Sequence, residues 1–164
     1  MGRALLIIAL STIFLLMQLT NVDRNRNTSL INSLTFSLQY AAHDAALQVD
    51  PLQQAEGYIV FNREEARNVF EETLRRNLRL KMDLTPLPNT LLDDPVEILF
   101  EDFVDDSSGV TFPYNYVNDQ YHIYKTLLGP AVIYEVRVKS TRSSKYSFDG
   151  YIYKNIIELY PFPN

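Results

Sequence analysis

The alternation of apolar and polar positions splits the chain near residue 50. Residues 4 to 19, ALLIIALSTIFLLMQL, carry no charge and only three polar side chains, Ser11, Thr12 and Gln18. No proline precedes Pro51, and no glycine lies between Gly2 and Gly57. A helix interior loses about 1 kcal/mol for a glycine and about 3 kcal/mol for a proline. Their absence predicts one helix of roughly 45 residues, apolar all round at first and amphipathic beyond. The opening run spans about 24 Å as a helix, against a bilayer core of about 30 Å. Thr20, Asn21 and Val22 extend it, and Arg3 can snorkel back to the headgroups. A cleaved secretory signal would need a small-x-small site, which MQLTNVDRN lacks. The expected organisation is an anchor over 1–22, an amphipathic continuation over 23–50 and a head domain over 51–164.

On a wheel of about 100° per residue, Leu30, Ile31, Leu34, Leu38, Ala41, Ala42, Ala45 and Val49 form one broad face. That face is expected to pack on the head. Phe36, Tyr40 and Leu47 cluster on the opposite side and ask for a second partner. Either the helix is buried on both sides within the head, or neighbouring copies pack on it. The small residues at 41, 42, 45 and 46 suit the close approach of another backbone. Between anchor and stripe, NVDRNRNTS is polar on all sides. It reads as a helix crossing the headgroup layer or as a local unwound break, since Asn, Asp and Ser favour caps and turns.

Pro51 is expected to end the long helix, because the residue before a proline is pushed out of the helical region. GYIVF at 57–61 reads as a strand. Asn62 followed by Glu65 has capping-box spacing and predicts a helix from 63 to about 80, burying Ala66, Val69, Phe70, Thr73, Leu74, Asn77 and Leu78. Glu71 and Glu72 stand four residues before Arg75 and Arg76 on its solvated face. Prolines 86, 88 and 95 make 81–95 an extended connection. Strands are expected at 96–104, 110–117, 121–127, 131–139 and 151–160, with turns at DDSSG, Asn118-Asp119-Gln120, Gly129-Pro130 and Asp149-Gly150, and a Ser/Lys/Arg loop over 140–147. Val132, Tyr134, Val136 and Val138 alternate with Glu135, Arg137 and Lys139, as in a half-buried strand. The fold class is α+β: a long N-terminal helix packed on a small, mostly antiparallel sheet of four or five strands with a second helix.

Composition narrows the function. The net charge is −5, and all of it lies beyond residue 50, which disfavours nucleic acid as a partner. Eleven tyrosines and nine phenylalanines, mostly after residue 56, suit a folded sheet-rich head. With no cysteine, disulfides, zinc-thiolate sites and thiol catalysis are excluded. His43 and His122 lack a second histidine at ligand spacing. The acids Glu97, Glu101, Asp102, Asp105 and Asp106 could offer oxygens to calcium, but DDSSG lacks the spaced D-x-D-x-D pattern. No G-x-S-x-G, P-loop or G-x-G-x-x-G occurs. No enzyme, cofactor or metal is expected, and an anchored hydrolase using the acids at 97–106 has little behind it.

The N-terminal pattern MGRALLIIALSTIFLLMQL resembles the N-terminal segment of type IV pilin-like proteins, including pseudopilins and the TadE-like minor pilins of tight-adherence systems. The resemblance covers about the first 50 residues. It implies processing between Gly2 and Arg3, storage in the bacterial cell membrane with an extracytoplasmic head, and assembly with other pilin-like subunits into a surface filament, secretion or conjugation apparatus. Members usually carry a glutamate five residues after cleavage, where this chain has Ile7; minor, tip-located members lack it. The alternative is a membrane-tethered module whose head recruits a partner protein through the tyrosine-rich segment 112–124.

Overall fold

The computed structural model describes residues 2–140 and 149–162. Helix α1 runs unbroken over Gly2–Ala46. The polar stretch 21–29 is helical like the rest, with no unwound break. Thr12, Thr20 and Thr35 donate their hydroxyls to the carbonyls four residues back, at 2.9, 3.0 and 2.8 Å. These hydroxyls are thereby satisfied by the helix's own backbone.

Pro51 does not end α1; it begins the one-turn helix α2, Pro51–Ala55. A proline at the first helical position gives up only an amide that would be unpaired anyway. Asp50 caps it, accepting from the amides of Leu52 and Gln53 at 2.8 and 3.2 Å. The GYIVF run likewise departs from expectation. It is extended but joins no sheet; only Phe61 forms a bridge, with Val49. Helix α3, Arg63–Leu78, starts on Asn62, whose side chain accepts from the Glu65 amide at 3.3 Å, and stops at Arg79 in the left-handed region. Among the described residues the Glu71/Glu72 and Arg75/Arg76 side chains form no ion pairs.

Among the described residues five antiparallel strands follow, in two sheets rather than one. β1 (Glu97–Val104), β4 (Ala131–Lys139) and β5 (Tyr151–Leu159) form a sheet of order β1-β4-β5. β2 (Tyr114–Asn118) and β3 (Ile123–Leu127) form a separate hairpin. β2 starts later than expected because Pro113 has no amide to give a ladder. Tyr121 and His122 belong to the turn, with Asn118 Oδ1 accepting from the Tyr121 amide at 3.2 Å. At the β4–β5 end, the Ser140 amide donates to the Gly150 carbonyl at 2.9 Å. Asp149-Gly150 therefore closes a longer connection and is no two-residue turn. The remainder of the loop expected at 140–147 lies outside the described residues.

β4 is the middle strand and is covered on both faces. Val132, Tyr134, Val136 and Val138 face α1 and α3 in the main core. Ala131 and Ile133 face the hairpin in a second core with Val104, Tyr116, Ile123 and Leu127. The half-buried reading of β4 fits its Arg137–Lys139 end and fails over Ala131–Ile133, where the hairpin, not water, covers the second face. Phe70 of α3 stacks on Tyr134 with ring centroids 3.6 Å apart and planes at 9°. The Tyr134 hydroxyl has no hydrogen-bond partner among the described residues, and burial pushes its pKa up. Tyr134→Phe is therefore expected to raise head stability by about 1 kcal/mol by removing an unpaired polar group. Urea melts of the two proteins measure it, and a loss of stability would refute the packing described.

Candidate functional site on the long helix

α1 has two environments. Every residue from Gly2 to Val22 is exposed, and one 18-residue window has a mean hydropathy of 2.1 with none of it buried. This is the one helix among the described residues that is long and apolar enough to cross a membrane. It is compatible with a single-pass anchor. Gly2 and Arg3 sit at its exposed start. Because these side chains touch no head residue, deleting 2–22 is expected to change head stability by less than about 0.5 kcal/mol. The same deletion should free the protein from detergent, as sedimentation with and without detergent will show.

From residue 30 onward α1 is the spine of the head. Leu30, Leu34, Leu38, Ala41 and Ala45 are buried, with Ser37, Ala42 and Ala46 beside them. Ile31, placed by the wheel on this face, is exposed instead, because the head encloses only the narrower arc through Leu30 and Leu34. Val49 lies beyond the helix end, half-buried against the core. The alanines at 41, 42, 45 and 46, which suited a neighbouring subunit, are fully buried in this one. They let α3 and β5 come close to the α1 backbone. Polar ties fix the docking angle. Thr73 Oγ1 of α3 donates to Asp44 at 2.7 Å, and His43 meets Glu158 of β5 at 3.3 Å.

Phe36 and Tyr40 point away from all of this, 61% and 63% exposed. They are four residues apart and share one helix face. Leu47, in the turn after α1, is exposed on the same side. Val22, 14 residues before Phe36, is exposed as well. Fourteen residues are about four turns, so Val22 and Phe36 share a face. Between them that face carries Arg26, Ser29 and Ser33, so the stripe is a separate apolar patch on the same side of the helix.

The acidic run does structural work. Glu101 pairs with Arg67 and Glu97 with Arg137. Asp102 accepts from the Tyr116 hydroxyl at 2.7 Å, which pins the hairpin to β1; burial, then this bond, holds that phenol above its ordinary pKa. Asp105, fully buried, accepts from the Phe61 amide at 3.0 Å and the Ser107 amide at 3.0 Å. Asp106 accepts from the Ile59 amide at 2.6 Å. The two aspartates thus supply the acceptors that a neighbouring strand would have given GYIVF. Among the described residues no three His, Cys, Asp or Glu side chains come together to hold a metal.

No protein-family model matches the chain, and neither a curated protein nor a solved structure resembles it significantly.

Proposed function

We propose that this chain is a non-enzymatic, pilin-like assembly subunit. In this reading it is stored in the membrane by residues 2–22 and joins similar subunits through the outer face of α1. One observation carries it: the Phe36–Tyr40 stripe faces away from the head, on the same unbroken helix as the lipid-compatible segment. A helix that only tethered a head would gain nothing from aromatic side chains held in water on its far side. Neighbouring copies packed along α1 would bury them and replace lipid contacts with helix–helix contacts. The lack of a glutamate at Ile7 fits a minor subunit, and the head would lie outside the cytoplasm.

The absence of cysteine makes the test direct. Single Phe36→Cys and Tyr40→Cys proteins are oxidised in membranes of cells that make the native partners. Disulfide-linked oligomers from both, and none from the buried Leu34→Cys, are expected. Monomers from both stripe positions would overturn the reading. A second reading, a tethered module that recruits a partner through its head, rests on the cross-strand pair Val117 and Tyr124, each 60% exposed on the hairpin. Cross-links to another protein from Val117→Cys and Tyr124→Cys, with none from the helix, would favour it.

A further inference from the structure

A cavity of about 720 Å³ opens between the tip of the β2–β3 hairpin and the neighbouring face of the three-stranded sheet. That is within the usual range for small-ligand sites, about 300–1,000 Å³. Its floor holds Glu135, from the middle strand and only 5% exposed. In the sheet register Glu135 lies opposite Asn155 on β5 and Phe100 on β1. Leu99 is the extra residue of a bulge there, and its carbonyl accepts from the Tyr121 hydroxyl at 3.1 Å. The Tyr121 ring stacks on Phe100, centroids 4.7 Å apart, which fixes one wall. Tyr153 stands on the wall, and Gln120 and His122 line the mouth. His122 has a φ of 54°, a left-handed conformation that costs a non-glycine residue energy and is often kept where a site needs it.

The carboxylate is the anomaly. Its Oε2 is buried and has no hydrogen-bond partner among the described residues. A buried charge is tolerated when it is paired or hydrogen-bonded. The nearby cations are engaged elsewhere. Arg137, two residues along the same face, pairs with Glu97, bonds Tyr153 and lies over the Tyr151 ring, 4.5 Å from its centroid, while its Nε is buried with no hydrogen-bond partner among the described residues. Lys139 pairs with Asp94 at 3.5 Å. Lys154 borders the cavity but stands opposite Val136 in the ladder, so its side chain leaves from the helix-side face. Burial accordingly pushes the Glu135 pKa up, with no offsetting cation.

We propose that this cavity binds an alkylammonium group, seated on the Glu135 carboxylate between Tyr121 and Tyr153, carried by a free amine or by a lysine side chain of another polypeptide. An ammonium donates the missing hydrogen bonds, supplies the missing charge and is attracted to aromatic rings. A metal ion fits poorly, since calcium takes 6–8 oxygen ligands and the cavity offers one carboxylate and two side-chain amides. An anion would meet Glu135 itself.

The test is an NMR titration of the full-length chain in detergent micelles with n-butylammonium chloride. Saturable shifts are expected at the amides of Tyr121, His122 and Asn155, and none with n-butanol. Glu135→Gln keeps the shape and removes the charge, and should weaken binding by about tenfold or more. Tyr153→Leu should weaken it by about threefold. Absence of saturable shifts, equal shifts from the alcohol, or undiminished binding by Glu135→Gln would overturn the proposal. Nα-acetyl-lysine methylamide then separates the sources. Tighter binding than n-butylammonium assigns the site to a polypeptide lysine, and weaker binding to a free amine.

Discussion

Asp105→Ala is expected to destabilise the head by about 3 kcal/mol or more, from the sum of several hydrogen bonds to one buried charge. Besides the Phe61 and Ser107 amides, Asp105 accepts from the hydroxyls of Ser107 and Ser108 at 2.6 and 3.3 Å. Its own amide donates to Ser108 Oγ at 3.0 Å, closing a capping box around the 3-10 turn Asp106–Ser108. Alanine would leave the Phe61 amide buried without an acceptor. It would also loosen Phe61 itself, whose ring packs against Phe103 of β1 with centroids 6.0 Å apart. Single domains have about 5–15 kcal/mol to lose, so the melting midpoint should fall by roughly 10 °C or more. Asp106→Ala removes one side-chain bond, to the Ile59 amide, and should cost only about 1 kcal/mol. Thermal melts of both variants, monitored by circular dichroism, measure the contrast. Equal and small effects would mean that the aspartates are not the clamp on residues 57–61. That outcome would reopen the acidic run for some chemical use.

The same clamp shows why some elements were legible in the sequence and others were not. α1 was legible because helix breakers are missing over its whole length and its apolar period is strong. β4 was legible in its bounds, because VIYEVRV alternates, but not in its environment. Alternation reports one buried face; the second is buried over its first half by the β2–β3 hairpin folding across it, a tertiary contact that no local pattern encodes. GYIVF failed for a related reason. Its β-branched and aromatic residues favour an extended chain, and the chain is extended there. Whether it joins a ladder depends on whether a strand or a pair of aspartates reaches its amides. Pro51 misled in another way, since proline both forbids the preceding helix and suits the first turn of the next; Asp50, one residue earlier, was the capping signal that decides between them. Glu135 looked like the polar side of a strand. Its burial comes from the hairpin tip and the Leu99 bulge, both tertiary features. The wheel places Ala41, Ala42 and Ala45 on the head-packing face, and there the small side chains admit this chain's own α3 and sheet, not another subunit. Phe36 and Tyr40 on α1, with Leu47 in the turn after it, stay exposed.

The double variant Phe36→Ser/Tyr40→Ser separates holding from being held. Both side chains are exposed, so the head should lose less than about 0.5 kcal/mol. Two serines also keep the helix, since each costs only a few tenths of a kcal/mol of propensity in its interior. Membrane insertion should be unaffected, because residues 2–22 are untouched. Assembly should not survive. Packing two aromatic side chains between helices buries apolar surface worth about 1.5–3 kcal/mol each, and the loss recurs at every subunit contact along the array. A contact weakened by about 3 kcal/mol holds roughly a hundred-fold less tightly, since each 1.4 kcal/mol is tenfold. A filament or apparatus that depends on repeated contacts would then fail to form, while membranes still contain a folded, protease-resistant head. The measurement is the amount of higher-order complex recovered by mild detergent and of extracellular or pelletable material, compared with the wild-type chain at equal expression. Arg24→Ser, within the polar stretch 21–29, serves as a control that lies on α1 but outside the aromatic pair. Undiminished assembly in the double variant would show that copies do not meet along this face, and the function would then have to be sought on the hairpin and the cavity beneath it.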